Sequence, residues 1–254
     1  MNSVSDSHVG KVPAATLTFW IIKIAATTLG ETGGDAVTMS MNLGYLIGTL
    51  IFAVLFLIAV AAQIRVRTFH PFLYWATIVA TTTTGTTLAD FADRSLGIGY
   101  AGGSSLLLAL LLVTFALWYW TQGSVAFGSI VSSKAEIFYW ITILFSQTLG
   151  TALGDWAADT GGLGYGGGVL AFGAALALVA AAYWWTTLSH TALFWIAFIL
   201  TRPLGATVGD LLDKPHDEGG FALSRYAASA VLAAFIVACI ALLPQRPAAR
   251  TAAS

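Results

Sequence analysis

Cysteine is almost missing from this chain. Cys239 stands alone among 254 residues, which excludes an internal disulfide and a thiolate metal cluster and leaves it a packing role in the last apolar run. Charge is scarce too: 9% of residues are Asp, Glu, Lys or Arg, against about 25% in a soluble domain. The 11 basic and 12 acidic residues leave a net charge of −1, and no basic cluster exists, so neither nucleic acid nor a polybasic lipid anchor is implied. No P-loop, His-Glu-x-x-His or Gly-x-Ser-x-Gly motif occurs. The chain is therefore read as a non-enzyme without a cofactor.

What the chain has in excess is apolar surface. Hydrophobic residues make up 57% of it, in recurring runs of about 17 to 22 residues that match the hydrocarbon core of a bilayer. The expectation is an all-α integral membrane protein, one membrane domain over 1–254, with lipid as its solvent. Lys23 interrupts the first run, which marks a retained helix and not a cleaved signal peptide. The N-terminal residues around Asp6 and the tail "PQRPAARTAAS" are expected to be disordered ends.

The runs are copies of one unit. Ten residues after each of Trp20, Trp75, Trp140 and Trp195 stands a glycine (Gly30, Gly85, Gly150, Gly205), and fifteen after each stands an aspartate (Asp35, Asp90, Asp155, Asp210). The motifs read "TLGETGGD", "TTGTTLAD", "TLGTALGD" and "PLGATVGD". A glycine-aromatic pair follows each (Gly44-Tyr45, Gly99-Tyr100, Gly164-Tyr165, Gly220-Phe221), then a second apolar run. The unit is helix, polar turn, helix, with copies at about 17–62, 72–120, 137–185 and 192–243, giving eight transmembrane helices. The tryptophans lie 55, 65 and 55 residues apart, and copies two and four share a second aspartate (Asp93, Asp213). Both features predict two pseudo-symmetric halves, and two spans per copy put the symmetry axis along the membrane normal.

This pattern resembles a family of bacterial inner-membrane proteins built from four tandem copies of a two-helix repeat of unknown function. The resemblance covers about residues 17 to 243 and implies a bacterial inner (plasma) membrane location and an architecture, but no activity. The fourth copy departs from it with a longer charged turn, "DKPHDEGG".

Function must then come from the residues. At 1.5 Å per residue each motif glycine lies about 15 Å and each aspartate about 22 Å below its tryptophan, still inside a core about 30 Å thick. Helical three- and four-residue steps align Thr28, Glu31 and Asp35; Thr83, Thr86, Asp90 and Asp93; Thr148, Thr151, Asp155 and Asp159; and Asp210 with Asp213. A carboxylate facing lipid at the bilayer centre costs about 2.5–3.5 kcal/mol, so such groups face an interior or a cavity. The four stripes are expected to converge on one acidic cavity. The glycines serve close helix packing or unwinding, and the tryptophans interfacial anchoring or packing. Lys23 is expected to snorkel to the interface, and Arg202, beside a kinking Pro203, to pair with a carboxylate of another copy or line a cytoplasmic cavity.

Carboxylates with threonine hydroxyls make an oxygen-rich site for a hard cation. The expected function is a secondary transporter or exporter of a hard divalent, manganese-like cation, with Glu31, Asp35, Asp90, Asp155 and Asp210 as metal ligands and protons as the candidate coupling ion. Two alternatives stand beside it: a proton-coupled exporter of a small organic cation, and a non-transporting scaffold or sensor whose aspartates sit at the outer interface. An intramembrane aspartyl protease would need Gly-x-Gly-Asp, but the residue three before each aspartate is Thr32, Thr87, Ala152 or Thr207. The implied partners are the bilayer and the cation, and a homo-oligomer is compatible with both.

Basic residues set the orientation. Lys11, Arg65, Arg67, Lys134, Arg246 and Arg250 fall on one side and Arg94, Lys214 and Arg225 on the other, which places both termini in the cytoplasm. Reporter fusions near Arg67 and Lys134 are expected to report cytoplasm, and fusions near Asn42 and Asp217 the outside. The reverse pattern, or an odd number of spans, removes this topology.

Overall fold

The protein is described by a computed structural model covering residues 10–130 and 132–248; Asp6 and Arg250 lie outside the described residues. Apolar runs free of helix breakers become eight long helices among those residues: α1 (Leu17–Asp35), α2 (Gly44–Arg65), α3 (Pro71–Asp90), α4 (Tyr100–Gln122), α5 (Ser133–Asp155), α6 (Gly164–Trp185), α7 (His190–Asp213) and α8 (Arg225–Leu242). Hydroxyls cap several of the starts. Thr16, Ser132, Ser189 and Ser224 accept from backbone N–H groups of α1, α5, α7 and α8, satisfying donors that a first turn leaves unpaired. Pro71 opens α3 where no N–H is needed. Pro203 does not interrupt α7.

Past its aspartate, each of the first three motif helices widens into one π-helical turn, Ala36–Ser40, Phe91–Ser95 and Trp156–Thr160. The chain then reverses at Gly44, Gly99 and Gly164, whose φ values of 75°, 75° and 63° explain the glycine of the first three glycine-aromatic pairs. In the fourth copy α7 stops at Asp213, Lys214 is extended, and a short 3-10 turn spans His216–Glu218. That turn folds back on the helix end: Phe221 N–H donates to Leu211 C=O at 2.8 Å and Leu223 N–H to Leu212 C=O at 2.9 Å.

The helices form two concentric layers. Inside, α1, α3, α5 and α7 each pack on the next, and α7 packs back on α1 to close the ring. Outside, α2 covers α3, α4 covers α5, α6 covers α7 and α8 covers α1. Each outer helix therefore lies mainly on the inner helix of the following copy. The ends reinforce the closure: Gly10 N–H donates to Ala248 C=O at 3.1 Å, Ala248 N–H to Val12 C=O at 2.8 Å, and Ala14 N–H to Arg246 C=O at 2.8 Å. The tail expected to be disordered is thus ordered as far as Ala248, because its backbone finds partners in the N-terminal segment.

Six helices, all but α1 and α3, are long and apolar enough to cross a membrane. The outer helices expose Leu50, Leu57, Leu112, Leu170 and Val231, a wall compatible with a multi-pass membrane protein. Helices α1 and α3 carry hydroxyls and acids on the face toward the ring.

Of the two roles expected of the tryptophans, anchoring and packing, the structure shows packing. Trp75, Trp140 and Trp195 are buried and pack with Phe19, Tyr74, Tyr139, Phe194 and Trp118; only Trp20 is half-buried. This aromatic core fills the ring at the end that carries the termini, with the Tyr74 and Tyr139 hydroxyls 2.6 Å apart.

Close packing at the motif glycines holds the inner ring. A Cβ on Gly85 would lie 2.9 Å from the Thr148 backbone nitrogen, and one on Gly205 would lie 2.9 Å from the Thr27 carbonyl carbon. Overpacking of this kind costs about 1–3 kcal/mol. Gly85→Val and Gly205→Val are expected to lower the melting temperature of the detergent-solubilised protein by about 5 °C or more, whereas Gly166→Ala, with nothing within 4 Å of the added carbon, leaves it unchanged.

Candidate functional site

The ring interior is built in tiers, each four residues further along the inner helices. Counting from the termini end, the first tier is Phe19, Tyr74, Tyr139 and Phe194, and the second is Lys23, Ile78, Ile143 and Phe198. Thr27, Thr82, Gln147 and Arg202 form the third; Glu31, Thr86, Thr151 and Ala206 the fourth; Asp35, Asp90, Asp155 and Asp210 the fifth. Every one of these residues is buried. A four-residue step rises about 6 Å and keeps nearly the same face, so the same position of each copy meets its equivalents around the ring. The third-tier residue of each copy seats on the motif glycine of the copy before it: Thr82 on Gly30, Gln147 on Gly85, Arg202 on Gly150 and Thr27 on Gly205. The motif glycines are therefore packing glycines, and the helices run through them unbroken.

The buried carboxylates of this column and the guanidinium of Arg202 are paired, as a low-dielectric interior requires. Arg202 Nη2 donates to Glu31 Oε2 at 2.8 Å and to the hydroxyls of Thr86 and Thr151, and its Nη1 donates to Thr27 C=O at 3.3 Å. One guanidinium from the fourth copy thus ties together the first three, which fulfils the carboxylate-pair expectation for Arg202. Lys23 does not snorkel. It is fully buried, its Nζ 4.2 Å from the Phe198 ring centroid and 3.5 Å from Gln147 Oε1.

The aspartate tier is bridged by two cations. Arg94 Nε donates to Asp90 Oδ1 at 2.9 Å, and its Nη2 lies 3.7 Å from Asp155 Oδ2. Lys214 Nζ lies 2.6 Å from Asp35 Oδ2 and 3.1 Å from Asp210 Oδ1. Arg225 Nε adds a 3.1 Å contact to Asp213 and a 3.8 Å contact to Asp35. Arg94 and Lys214 stand nine residues after their motif glycines, Gly85 and Gly205. In copies one and three that position holds Met39 and Asp159.

The candidate ligands separate accordingly. Glu31, Asp35 and Asp210 each present a carboxylate oxygen, all within 4.8 Å of one another. Asp90 and Asp155 lie instead within ion-pair reach of Arg94. Asp35 Oδ1 and Asp90 Oδ2 are buried without a hydrogen-bond partner among the described residues. The other calls divide further. Asp213 is buried against Arg225, Asp93 is half-buried, and Asp159 is exposed and accepts from the Tyr100 hydroxyl at 2.8 Å. Thr28, Thr83 and Thr148 are buried, but their hydroxyls donate to carbonyls of their own helices, Ile24, Val79 and Leu144. Thr86 and Thr151, one residue past their glycines, reach the axial guanidinium instead.

Sequence reasoning missed Arg94 and Lys214 as members of the site because it counted basic residues as topology signals. Their common offset from the motif glycine was the available clue. Beyond the aspartate tier the interior opens into a polar vestibule of about 490 Å³, lined among others by Arg94, Asp159, Tyr165, Lys214, Glu218 and Arg225. A second cavity of about 650 Å³, apolar and lined by Leu17, Trp20, Leu176, Tyr183 and Phe194 among others, lies toward the termini end.

Comparison with known proteins bears on the architecture. No curated protein and no solved structure matches the chain. The pattern described as Repeat of Unknown Function (DUF347) matches four times in tandem, at residues 18–69, 73–124, 138–189 and 193–244, with every copy running from its tryptophan helix through the outer helix that follows. The chain belongs to the family built from this repeat.

Proposed function

We propose that the protein is a secondary transporter of a hard divalent cation of the manganese kind, embedded in the bacterial inner membrane with eight spans in two pseudo-symmetric halves and both termini cytoplasmic. In this reading α1 and α3 also span the bilayer, since their polar faces turn inward and their outer sides are covered by α8 and α2. The observation that carries the proposal is the buried trio Glu31, Asp35 and Asp210 with its oxygens within 4.8 Å of one another, placed where a closed column meets an open vestibule. Oxygen donors alone suit Mn²⁺ or Mg²⁺ and give no preference for soft ions.

The column supplies the rest of a transport cycle. A cation enters from the vestibule and reaches the aspartate tier. The Arg202–Glu31 pair, the Lys23 tier and the aromatic core bar its way toward the termini end. Passage requires the inner helices to shift against one another at the glycine seats, which concentrates the alternation on four equivalent contacts. The carboxylates offer exchangeable proton positions, so a proton gradient is the natural driving force. Most aromatic groups of the ring are packed on one another at the far end, with Tyr165 in the vestibule wall, which favours the metal ion.

Asparagine keeps the shape of aspartate and removes its charge. Asp210→Asn is the cleanest test, because Lys214 retains Asp35 as its partner. In liposomes loaded with a metal-sensitive dye, under an imposed proton gradient, the purified protein is expected to carry Mn²⁺. Asp210→Asn is expected to weaken the apparent affinity about tenfold or more, the loss of one charged contact, while Asp159→Asn at the exposed rim has a small effect. Absence of cation flux under any gradient, or wild-type flux in Asp210→Asn, would remove the transporter reading and favour a scaffold.

A further inference from the structure

The candidate cation ligands already hold a cation that belongs to the protein. Lys214 Nζ sits 2.6 Å from Asp35 and 3.1 Å from Asp210, two of the three carboxylates whose oxygens converge. A metal ion bound by that trio and the ammonium group would occupy overlapping space. Resting on the transport reading above, we propose that Lys214 is a tethered counter-ion: it fills the substrate's place in the unloaded carrier, and the arriving cation expels it into the vestibule.

Four features support this role. Lys214 follows the last residue of α7 in extended backbone, so its side chain swings from the rim of the tier and is not locked in a helical turn. It lines the vestibule, so the released ammonium has water and the carboxylate of Glu218 on the same wall to receive it. Its anchor is firm: Ala222 N–H donates to the Lys214 carbonyl at 2.9 Å, and Lys214 N–H to Asp210 C=O at 2.9 Å, so the side chain can move while the backbone stays. Asp35 meanwhile keeps its Oδ1 buried and unpartnered, a free lone pair beside the ammonium that an ion taking several oxygens would use and a single ammonium leaves idle.

Arg94 is the counterpart of Lys214 in the second copy. The two residues stand at the same offset from their glycines and bridge aspartates of adjacent copies, yet their chemistry differs. Arginine is a planar fork, always charged, that holds two carboxylates at once; lysine is a point charge on a flexible stem. Arg94 donates to Asp90 at 2.9 Å with Asp155 3.7 Å away, while the flexible ammonium of Lys214 is the group an arriving cation would replace. The consequence is exchange. With the ammonium in place the two aspartates share one positive charge, and with a divalent cation in place they share two, so neither state leaves them without a counter-charge.

Binding separates this proposal from the one beneath it. Mn²⁺ binding by the full-length protein in detergent would be measured calorimetrically for the wild type, Lys214→Gln, Lys214→Arg and Asp210→Asn. Lys214→Gln, freed of its competitor, is expected to bind Mn²⁺ about tenfold or more tighter than wild type and to show a larger metal-induced rise in melting temperature. Lys214→Arg, whose fork holds both aspartates, is expected to bind about tenfold or more weaker. If Asp210→Asn loses binding while Lys214→Gln and Lys214→Arg match wild type, the cation site stands and the tethered counter-ion is overturned. If neither wild type nor Lys214→Gln binds Mn²⁺, both proposals fall. Should Lys214→Gln not fold, the Lys214→Arg comparison decides alone, since unchanged affinity there contradicts competition.

Discussion

Everything in this molecule depends on how closely four helices approach at four glycines. With no Cβ at Gly30, Gly85, Gly150 and Gly205, the neighbouring helix seats a side chain directly on the backbone, and that contact sets the register of the whole ring. Once the register is set, each four-residue step brings equivalent positions of the copies together. The tiers follow: aromatic at the termini end, carboxylate at the other. Small residues at helix crossings do the same in many membrane bundles, where van der Waals contact must replace a hydrophobic driving force.

Such an approach leaves little room for water, so the charges on the inner faces had to find one another. Arg202 satisfies Glu31 and two hydroxyls at once, Arg94 and Lys214 each serve two aspartates, and Lys23 leans on an aromatic face. Arg202 and Lys23 stand at positions that are uncharged in the other copies, and Arg94 and Lys214 share one position that holds Met39 and Asp159 in the remaining two. The ring is symmetric in its packing and asymmetric in its electrostatics, and the chemistry resides where the copies differ.

The outer helices add a second constraint. Because each covers the inner helix of the next copy, no two-helix unit can bury its own faces, and the copies are interlocked. The contact of α8 with α1, strengthened by the hydrogen bonds between Gly10–Ala14 and Arg246–Ala248, joins the last copy to the first. The single domain is therefore a cycle, although the chain that builds it is linear.

Much of this was written along the chain. Apolar runs of spanning length, separated by glycine turns, dictate helices whatever they pack against, because a buried backbone must satisfy its own hydrogen bonds. The constant offsets among tryptophan, glycine and aspartate determined the repeat and placed a carboxylate at one depth in every copy. Tertiary structure alone decided which residues those carboxylates meet. Lys214 and Asp35 are 179 positions apart and Arg202 and Glu31 171, and no local pattern links them; only ring closure brings the fourth copy against the first. Ring closure also turned the tryptophans inward, drew Lys23 away from the surface and gave the axial role to Thr86 and Thr151, while Thr28, Thr83 and Thr148 bonded their own helices. Period and polarity are properties of a single helix and can be read from it, whereas the compensation of a buried charge is a property of whatever lies across the interface.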